Sequence, residues 1–364
     1  MKAPCSFLMA GGGTGGHVIP ALAVARELQR RGHRPFFIGT RRGIEARLVP
    51  AGGFPIEWIE IGGLKQVGGV RMLRSLWQIP GSVLRVLATI RERRPAAVFS
   101  MGGYVAGPAM AAAWLKRIPM VLMEPNAVAG MTNRWMGKLV DRALVNFEEA
   151  IPQFPSGVAE VAGLPVREEF FSIPPKPRGE SLTLLITGGS RGSRRLNEAA
   201  RESWPLFRRA GRPVQILHQS GQEDHAALQR EFAASGLAGE VVPFIEDMPS
   251  AFDRADLIVC RAGAGAVAEL AAAGKPAILV PFPFAADQHQ LRNAEAMARA
   301  GAARLALDSE FTGERLFREV EALATGSGLL ERMGEAARSL ARPGAAQRAA
   351  DVLEQLTERK GCAT

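Results

Sequence analysis

Cysteine is scarce in this chain of 364 residues, with only Cys5, Cys260 and Cys362 at widely separated positions. Their number and spacing exclude a disulfide framework and match no structural zinc motif. The sequence also lacks an Asp-x-Asp pair, which would hold a divalent metal against a diphosphate. We therefore predict no metal site and no cofactor.

Long hydrophobic runs are equally rare. One uncharged stretch, residues 95–115, reaches the length of a membrane-spanning helix. Pro95, Pro108 and several glycines interrupt it, so we predict a strand, a loop and a helix instead. The first glycine-rich loop comes after a single strand, which leaves no room for a signal peptide. We expect a soluble, cytoplasmic chain.

Acidic residues are outnumbered, because 45 Lys and Arg stand against 36 Asp and Glu and give a formal charge of +9. This excess suits an anionic partner, for which nucleic acid, acidic lipid and a phosphorylated substrate are alternatives. Alternatively, the positive charge reflects only an arginine-rich composition and implies no partner.

The most informative stretch is the glycine-rich loop at residues 11–16, which is followed by His17. An apolar run precedes this loop, and a segment with helical spacing follows it. A strand, a glycine turn and a helix N-terminus expose backbone N–H groups that favour a negative charge. We therefore predict a phosphate or nucleotide site here, with His17 as the first candidate for chemistry.

The same glycines satisfy the G-x-G-x-x-G dinucleotide fingerprint, so an NADP enzyme has to be considered. That fingerprint expects an acidic residue at the end of the next strand. Thr40-Arg41-Arg42 stands there instead, which offers no carboxylate for a ribose but would suit a 2′-phosphate. The loop alone does not identify the ligand.

The pattern of the whole chain predicts two doubly wound α/β domains. Short apolar runs alternate with helical segments up to a proline-rich linker at residues 163–178. A second strand, glycine loop and helix then begin at Leu182, and a third glycine loop at residues 261–266 leads into a helix that carries Glu269. Two Rossmann-like halves with these loops suit a substrate with a pyrophosphate, and His17 or Glu124 would supply the general base.

Nine motifs follow one another along the chain: GGGTGGH at 11–17, MGGYVAGP at 101–108, EPNAVAGMTN at 124–133, GLPVR at 163–167, GGSRGS at 188–193, HQSG at 218–221, FIEDM at 244–248, RAGAGAVAEL at 261–270 and DQHQLRNA at 287–294. In sequence and order they resemble the motifs of the MurG family of peptidoglycan N-acetylglucosaminyltransferases. The resemblance covers nearly the whole chain. It implies a GT-B fold, in which two Rossmann-like domains face each other across a cleft.

The resemblance also implies a reaction and a division of labour. N-acetylglucosamine would pass, with inversion, from UDP-N-acetylglucosamine to the 4-hydroxyl of the muramoyl sugar of lipid I, giving lipid II and UDP. Residues 1–164 would take the lipid acceptor, residues 165–342 would bind the nucleotide sugar, and a helix within residues 343–364 would return to the first domain. The protein would act peripherally at the cytoplasmic face of the bacterial inner membrane, with an anionic lipid surface and cell-wall or division proteins as partners and no nucleic acid.

The resemblance also implies roles for individual residues. The resemblance implies that His17 is the base, with Glu124 as the other catalytic candidate. It implies that the residues contacting UDP-N-acetylglucosamine are Thr14, Gly15, Gly16, Asn126, Arg167, Ser190, Ile245, Ala264, Gly265, Ala266, Glu269 and Gln290. A basic amphipathic segment corresponds to the membrane-facing region and contains Arg71, Leu73, Arg74, Leu76 and Trp77; an ordinary helix packed on the sheet is the alternative.

The chain departs from the family pattern at three places. Met123 and Pro125 replace polar residues beside the candidate base, Arg191 replaces a common glutamine, and Gly265-Ala266 stands where a hydroxyl is usual, so backbone N–H groups would bind the phosphates there. A UDP-N-acetylglucosamine 2-epimerase and a non-catalytic nucleotide-sugar or lipid-binding protein remain alternatives to the transferase. The NADP enzyme leaves the second glycine domain unexplained.

Overall fold

The chain divides into two compact units. A computed structural model describes residues 4–61, 69–177 and 179–359; side chains are not described for residues 69–77 and 359. The N-terminal unit runs to Pro165 and includes the final helix, and the C-terminal unit is Val166–Pro343. These boundaries lie one residue from those predicted at 164/165 and 342/343.

The N-terminal unit is a parallel sheet with the strand order β3-β2-β1-β4-β5-β6-β7. Its elements are β1 Ser6–Gly11, α1 Gly15–Arg30, β2 Arg34–Gly39, α2 Glu45–Ala51, β3 Ile56–Trp58, α3 Gly69–Arg93, β4 Ala97–Gly102, α4 Ala106–Leu115, β5 Met120–Glu124, α5 Met131–Met136, β6 Arg142–Val145 and β7 Ala159–Val161. The central strands are buried and almost wholly apolar, because helices cover both faces of such a sheet.

The C-terminal unit repeats this architecture with six parallel strands in the order β10-β9-β8-β11-β12-β13. Its elements are β8 Leu182–Thr187, α6 Arg194–Ala210, β9 Val214–Gln219, α7 His225–Ser235, β10 Ala238–Val242, α8 Met248–Arg254, β11 Leu257–Cys260, α9 Ala264–Ala273, β12 Ala277–Leu279, α10 His289–Arg299, β13 Ala303–Leu305, α11 Gly313–Thr325 and α12 Leu329–Ser339. Its core lies between the sheet and these helices, with Trp204 and Phe207 among the largest buried side chains.

The last helix, α13 (Ala345–Arg359), packs against α1 in the N-terminal unit. The Arg31 guanidinium donates to the carboxylates of Asp351 at 2.6 Å and Glu354 at 3.1 Å. His33 Nε2 lies 2.8 Å from Glu354 Oε1 and donates to it, because His33 Nδ1 already accepts the backbone N–H of Cys5. Ion pairs and hydrogen bonds therefore attach the end of the chain to its beginning.

Three local details do not follow from the alternation of apolar and helical segments alone. The strands β7 and β13 have only three residues each, which is too short to show a pattern. In β10, a Cβ at Gly239 would collide with the carbonyl oxygen of Ile216 on the neighbouring strand β9. Only glycine fits at this position, although strands usually carry side chains there. Helix α3 continues through Pro80, and the Ser82 hydroxyl donates to the carbonyl of Gln78 on the preceding turn.

Candidate functional site

The first cluster of predicted residues lies at the carboxyl edge of the N-terminal sheet, in the loops after β1 and β5. Thr14 is the N-cap of α1, and its carbonyl accepts the N–H groups of His17 and Val18 at 3.1 Å. Gly15 and Gly16 form the first turn, where the N–H groups of a helix have no acceptor within the helix itself. This turn is suited to bind an anion.

The His17 ring is oriented by the loop from which it projects. Its Nδ1 lies 3.2 Å from the carbonyl oxygen of Gly12 and 3.4 Å from the Thr14 hydroxyl. A carbonyl oxygen can only accept, so the neutral ring carries its proton on Nδ1 and its lone pair on Nε2. That tautomer is the one a general base needs.

Glu124, the other catalytic candidate, is buried and closes its own loop. Oε1 accepts both N–H groups of Asn126, from the backbone at 2.9 Å and the side chain at 3.1 Å. Oε2 accepts the backbone N–H of Gly130 at 3.0 Å and the Asn133 amide at 2.8 Å. Burial raises the pKa of Glu124, against the effect of these hydrogen bonds. Both oxygens are engaged in shaping the loop, which favours a positioning role over proton transfer.

The second cluster lies at the carboxyl edge of the C-terminal sheet. Four loops contribute to it: Ser190 follows β8, Ile245 follows β10, Ala264, Gly265 and Ala266 open α9 after β11, and Gln290 stands in α10 after β12. Ligands of open α/β sheets collect at this edge. The two clusters thus belong to different units, and each is assembled from loops that are distant in sequence.

Two residues without an assigned role join these loops. Gln219 donates to the carbonyl of Gly189 at 2.8 Å and accepts the N–H of Ile245 at 2.9 Å. Arg261 donates to the Ser193 hydroxyl at 2.7 Å and to the carboxylate of Asp308. Both stand in motifs quoted above, HQSG and RAGAGAVAEL, but single-sequence reasoning could not show what they contact.

Glu269 lies one turn into α9 and is largely buried. Burial raises the pKa of its carboxyl group to about 7, and the positive charge of Arg167 opposes this rise only in part. The Arg167 guanidinium lies 5.0 Å from the centre of the Phe170 ring. A buried carboxylate close to a glycine-rich helix N-terminus is suited to hold a sugar diol beside a phosphate.

The first turn of α9 is sterically open. A Cβ built on Gly265 meets no atom within 4 Å, so the helix N–H groups there are accessible to a ligand. Gln290 differs, because its Oε1 accepts the backbone N–H of Phe282 at 2.9 Å and its amide NH₂ group is left to act as a donor. The predicted membrane-facing side chains of Arg71, Leu73, Arg74, Leu76 and Trp77 lie outside the described part of the structure.

Known proteins match the chain over most of its length. Residues 7–145 match the glycosyltransferase family 28 N-terminal domain, and residues 183–356 match the C-terminal domain of that family. The chain belongs to glycosyltransferase family 28. A relative from Solibacter usitatus, named UDP-N-acetylglucosamine–N-acetylmuramyl-(pentapeptide) pyrophosphoryl-undecaprenol N-acetylglucosamine transferase, is 62% identical, and the match covers 96% of each chain.

Solved structures agree with the family 28 assignment. The crystal structure of Acinetobacter baumannii MurG superposes with a TM-score of 0.82 at 37% identity, over 97% of this chain and all of that one. This match confirms the predicted GT-B fold. A UDP-GlcNAc 2-epimerase from Neisseria meningitidis gives a TM-score of 0.67 at 14% identity, over 96% of this chain and all of its own. At that identity the likeness concerns the fold alone.

Proposed function

We propose that this family 28 protein transfers N-acetylglucosamine from UDP-N-acetylglucosamine to the 4-hydroxyl of the muramoyl sugar of lipid I, with inversion, giving lipid II and UDP. The observation that carries the proposal is the 62% identity, over 96% of both chains, to a transferase of that name. The two sets of sheet-edge loops supply the chemistry that this reaction requires.

The C-terminal unit binds the donor in this proposal. The helix N-termini of α6 and α9 face the diphosphate, and their N–H groups and dipoles stabilise the charge that develops as UDP departs. Glu269 accepts hydrogen bonds from the ribose hydroxyls, while Ile245 lies against the uracil and Gln290 donates to the sugar. Helix dipoles and amides would take the place of a metal ion in neutralising the leaving group.

The N-terminal unit binds the acceptor and removes its proton. His17 Nε2 takes the proton of the attacking 4-hydroxyl, since Nδ1 donates to the loop carbonyl of Gly12. The first-turn amides of Thr14–Gly16 hold a phosphate of the lipid. Glu124 fixes Asn126 for contact with the transferred sugar.

A membrane surface is the proposed place of action, at the cytoplasmic face of the cell membrane. Leu84 of α3 is 67% exposed, and Trp114 and Leu115 at the end of α4 are 52% and 56% exposed. Lys116 and Arg117 follow directly, so apolar and basic groups lie together as a peripheral lipid-binding surface requires. Within the described ranges, no helix has the length and hydrophobicity to cross a bilayer. Association with cell-wall or division proteins stays a prediction.

The test is UDP release from UDP-N-acetylglucosamine with and without a soluble lipid I analogue, with the product disaccharide identified by mass. We expect release that depends on the acceptor. Donor binding without turnover would instead indicate a binding protein, and formation of N-acetylmannosamine from the donor without acceptor would indicate an epimerase.

The role of His17 is tested by His17→Ala, with His33→Gln as the matched control because His33 lies between α1 and β2, at the opposite edge of the same sheet. We expect His17→Ala to lower kcat by about 10²- to 10⁴-fold, the usual worth of a general base, with donor affinity retained. The control should keep normal turnover. Near-normal kcat in His17→Ala would remove the proton-transfer role.

A further inference from the structure

Glu45, at the start of α2, is a fully buried carboxylate that the proposed reaction does not use. Its Oε1 accepts the backbone N–H of Thr40 at 3.0 Å and the Thr40 hydroxyl at 2.9 Å. Its Oε2 accepts the N–H of Gly13 at 2.9 Å. A buried carboxylate is costly unless it has a specific task or partner, so this placement needs an explanation.

The surrounding backbone is shaped to admit this carboxylate. A Cβ built on Gly12 would stand 2.9 Å from Glu45 Oε1, and one on Gly39 would stand 2.7 Å from Glu45 Cγ. At Gly43 the carboxylate itself occupies the position of a Cβ. Three glycines, one at the end of β2 and two in the loops after β1 and β2, therefore make room for one side chain.

One peptide bond connects Glu45 to His17. The N–H of Gly13 donates to Glu45 Oε2, and the C=O of the same peptide, belonging to Gly12, accepts from His17 Nδ1 at 3.2 Å. Hydrogen bonds in series polarise one another, so negative charge at the N–H end makes the carbonyl a stronger acceptor. Gly103 packs over this junction, since a Cβ there would lie 3.2 Å from His17 Nδ1.

We propose that Glu45 is a positioning residue for His17, whose carboxylate acts through the Gly12–Gly13 peptide to fix the imidazole as its Nδ1–H tautomer and to stabilise the protonated ring. The arrangement does the work of a carboxylate hydrogen-bonded directly to a catalytic histidine, with a peptide inserted between them. The benefit to catalysis rests on the proposed function, because it requires His17 to accept a proton during transfer.

Few other titratable groups of the described chain bear on this junction. Tyr104 follows β4, and its hydroxyl lies 3.3 Å from the hydroxyl of Thr40. The Tyr104 ring also packs against Gly13, where it leaves no room for a Cβ. Burial raises the pKa of Tyr104, so it stays neutral through a histidine titration. Glu124 ends β5 on the same sheet edge, where its hydrogen bonds serve its own loop.

The test is NMR of the full chain labelled with ¹⁵N at its five histidines, with the His17 signals assigned by their loss in His17→Gln. In the unaltered protein we expect the Nδ1–H tautomer. In Glu45→Gln, which keeps the shape and removes the charge, we expect the pKa of His17 to fall by about 0.5–1 unit. The acid limb of the kcat/KM profile should shift in the same direction, with KM for the donor unchanged.

The matched control is Thr40→Val, which deletes the hydroxyl bond to Oε1 but leaves the bond from Gly13 to Oε2. It should move the pKa of His17 by less than about 0.2 unit. An Nε2–H tautomer in the unaltered protein overturns the proposal without any variant, even where Glu45→Gln fails to fold. So does an unchanged pKa in folded Glu45→Gln, or an equal shift in Thr40→Val. The NMR readouts need no substrate, so they are independent of whether the protein proves to be a transferase.

Discussion

Glu269 should make the protein less stable at neutral pH than it would be without the charge. Its pKa is about 7 in the folded chain, above the ordinary value of 4.5, because burial disfavours the carboxylate. Between these two values the unfolded chain releases the proton while the folded chain retains it, so stability falls as pH rises from about 4.5 to 7 and stays low above that. A shift of this size corresponds to about 3 kcal/mol.

Glu269→Gln replaces the carboxyl group by a neutral isostere and removes this pH dependence. Roughly 2.5 kcal/mol of this destabilisation should arise between pH 5 and pH 8. The unfolding free energy of the variant, relative to that of the unaltered protein, should therefore increase by this amount over the same interval. Unfolding of the C-terminal unit can be followed separately by ¹⁹F NMR of fluorotryptophan, because Trp204 is the only tryptophan in residues 166–343. When the unfolding free energies of the two proteins are compared at each pH, the titration of every group that they share cancels.

The same substitution should weaken donor binding. The ionised carboxylate forms charge-assisted hydrogen bonds to a ribose diol, so UDP affinity should rise as pH passes 7 in the unaltered protein. In Glu269→Gln the affinity should be about tenfold lower at pH 8 and independent of pH, as measured by calorimetry. An equal stability difference at pH 5 and pH 8, or a variant that binds UDP normally, would refute the reasoning.

Further predictions concern the glycine loops, the lipid surface and the final helix. Gly192→Ala should lower the free energy of unfolding by about 2 kcal/mol or more, because the φ of Gly192 is +75° and the carbonyl oxygen of Ser220 occupies the place of a Cβ. Gly265→Ala should raise the free energy of unfolding by about 0.5–1 kcal/mol, because a Cβ there meets no neighbouring atom. Equal shifts of the melting temperature in the two variants would contradict both predictions. Trp114→Ala should lower binding to anionic vesicles several-fold in a flotation assay and change binding to neutral vesicles little; unchanged binding would exclude this surface. Arg31→Met leaves two α13 carboxylates without this partner and should cost about 2 kcal/mol, measured as faster hydrogen exchange in α13; unaltered exchange would show that apolar packing alone holds the helix.

Local sequence signals predicted the parts of the fold that depend on a few consecutive residues. An apolar run before a glycine loop indicates a buried strand, and the following helical spacing indicates the crossover helix, so β1, β8 and β11 were found with the loops that follow them. Short strands such as β7 and β13 have three residues each, which is too few for a pattern. Helix α3 continues through Pro80, because a proline removes only one hydrogen bond of the helix and the other residues of α3 keep theirs.

The sequence by itself determined the class of the protein, its two-fold repetition and most of the candidate residues, because glycine loops at strand ends are written in consecutive positions. Only the tertiary structure decided which side chains act on one another. Glu45 reaches a glycine 32 positions earlier, and Gln219 joins loops that begin 30 residues before it and 26 after it. These contacts depend on the register of parallel strands, and that register is fixed by the packing of whole sheets against their helices.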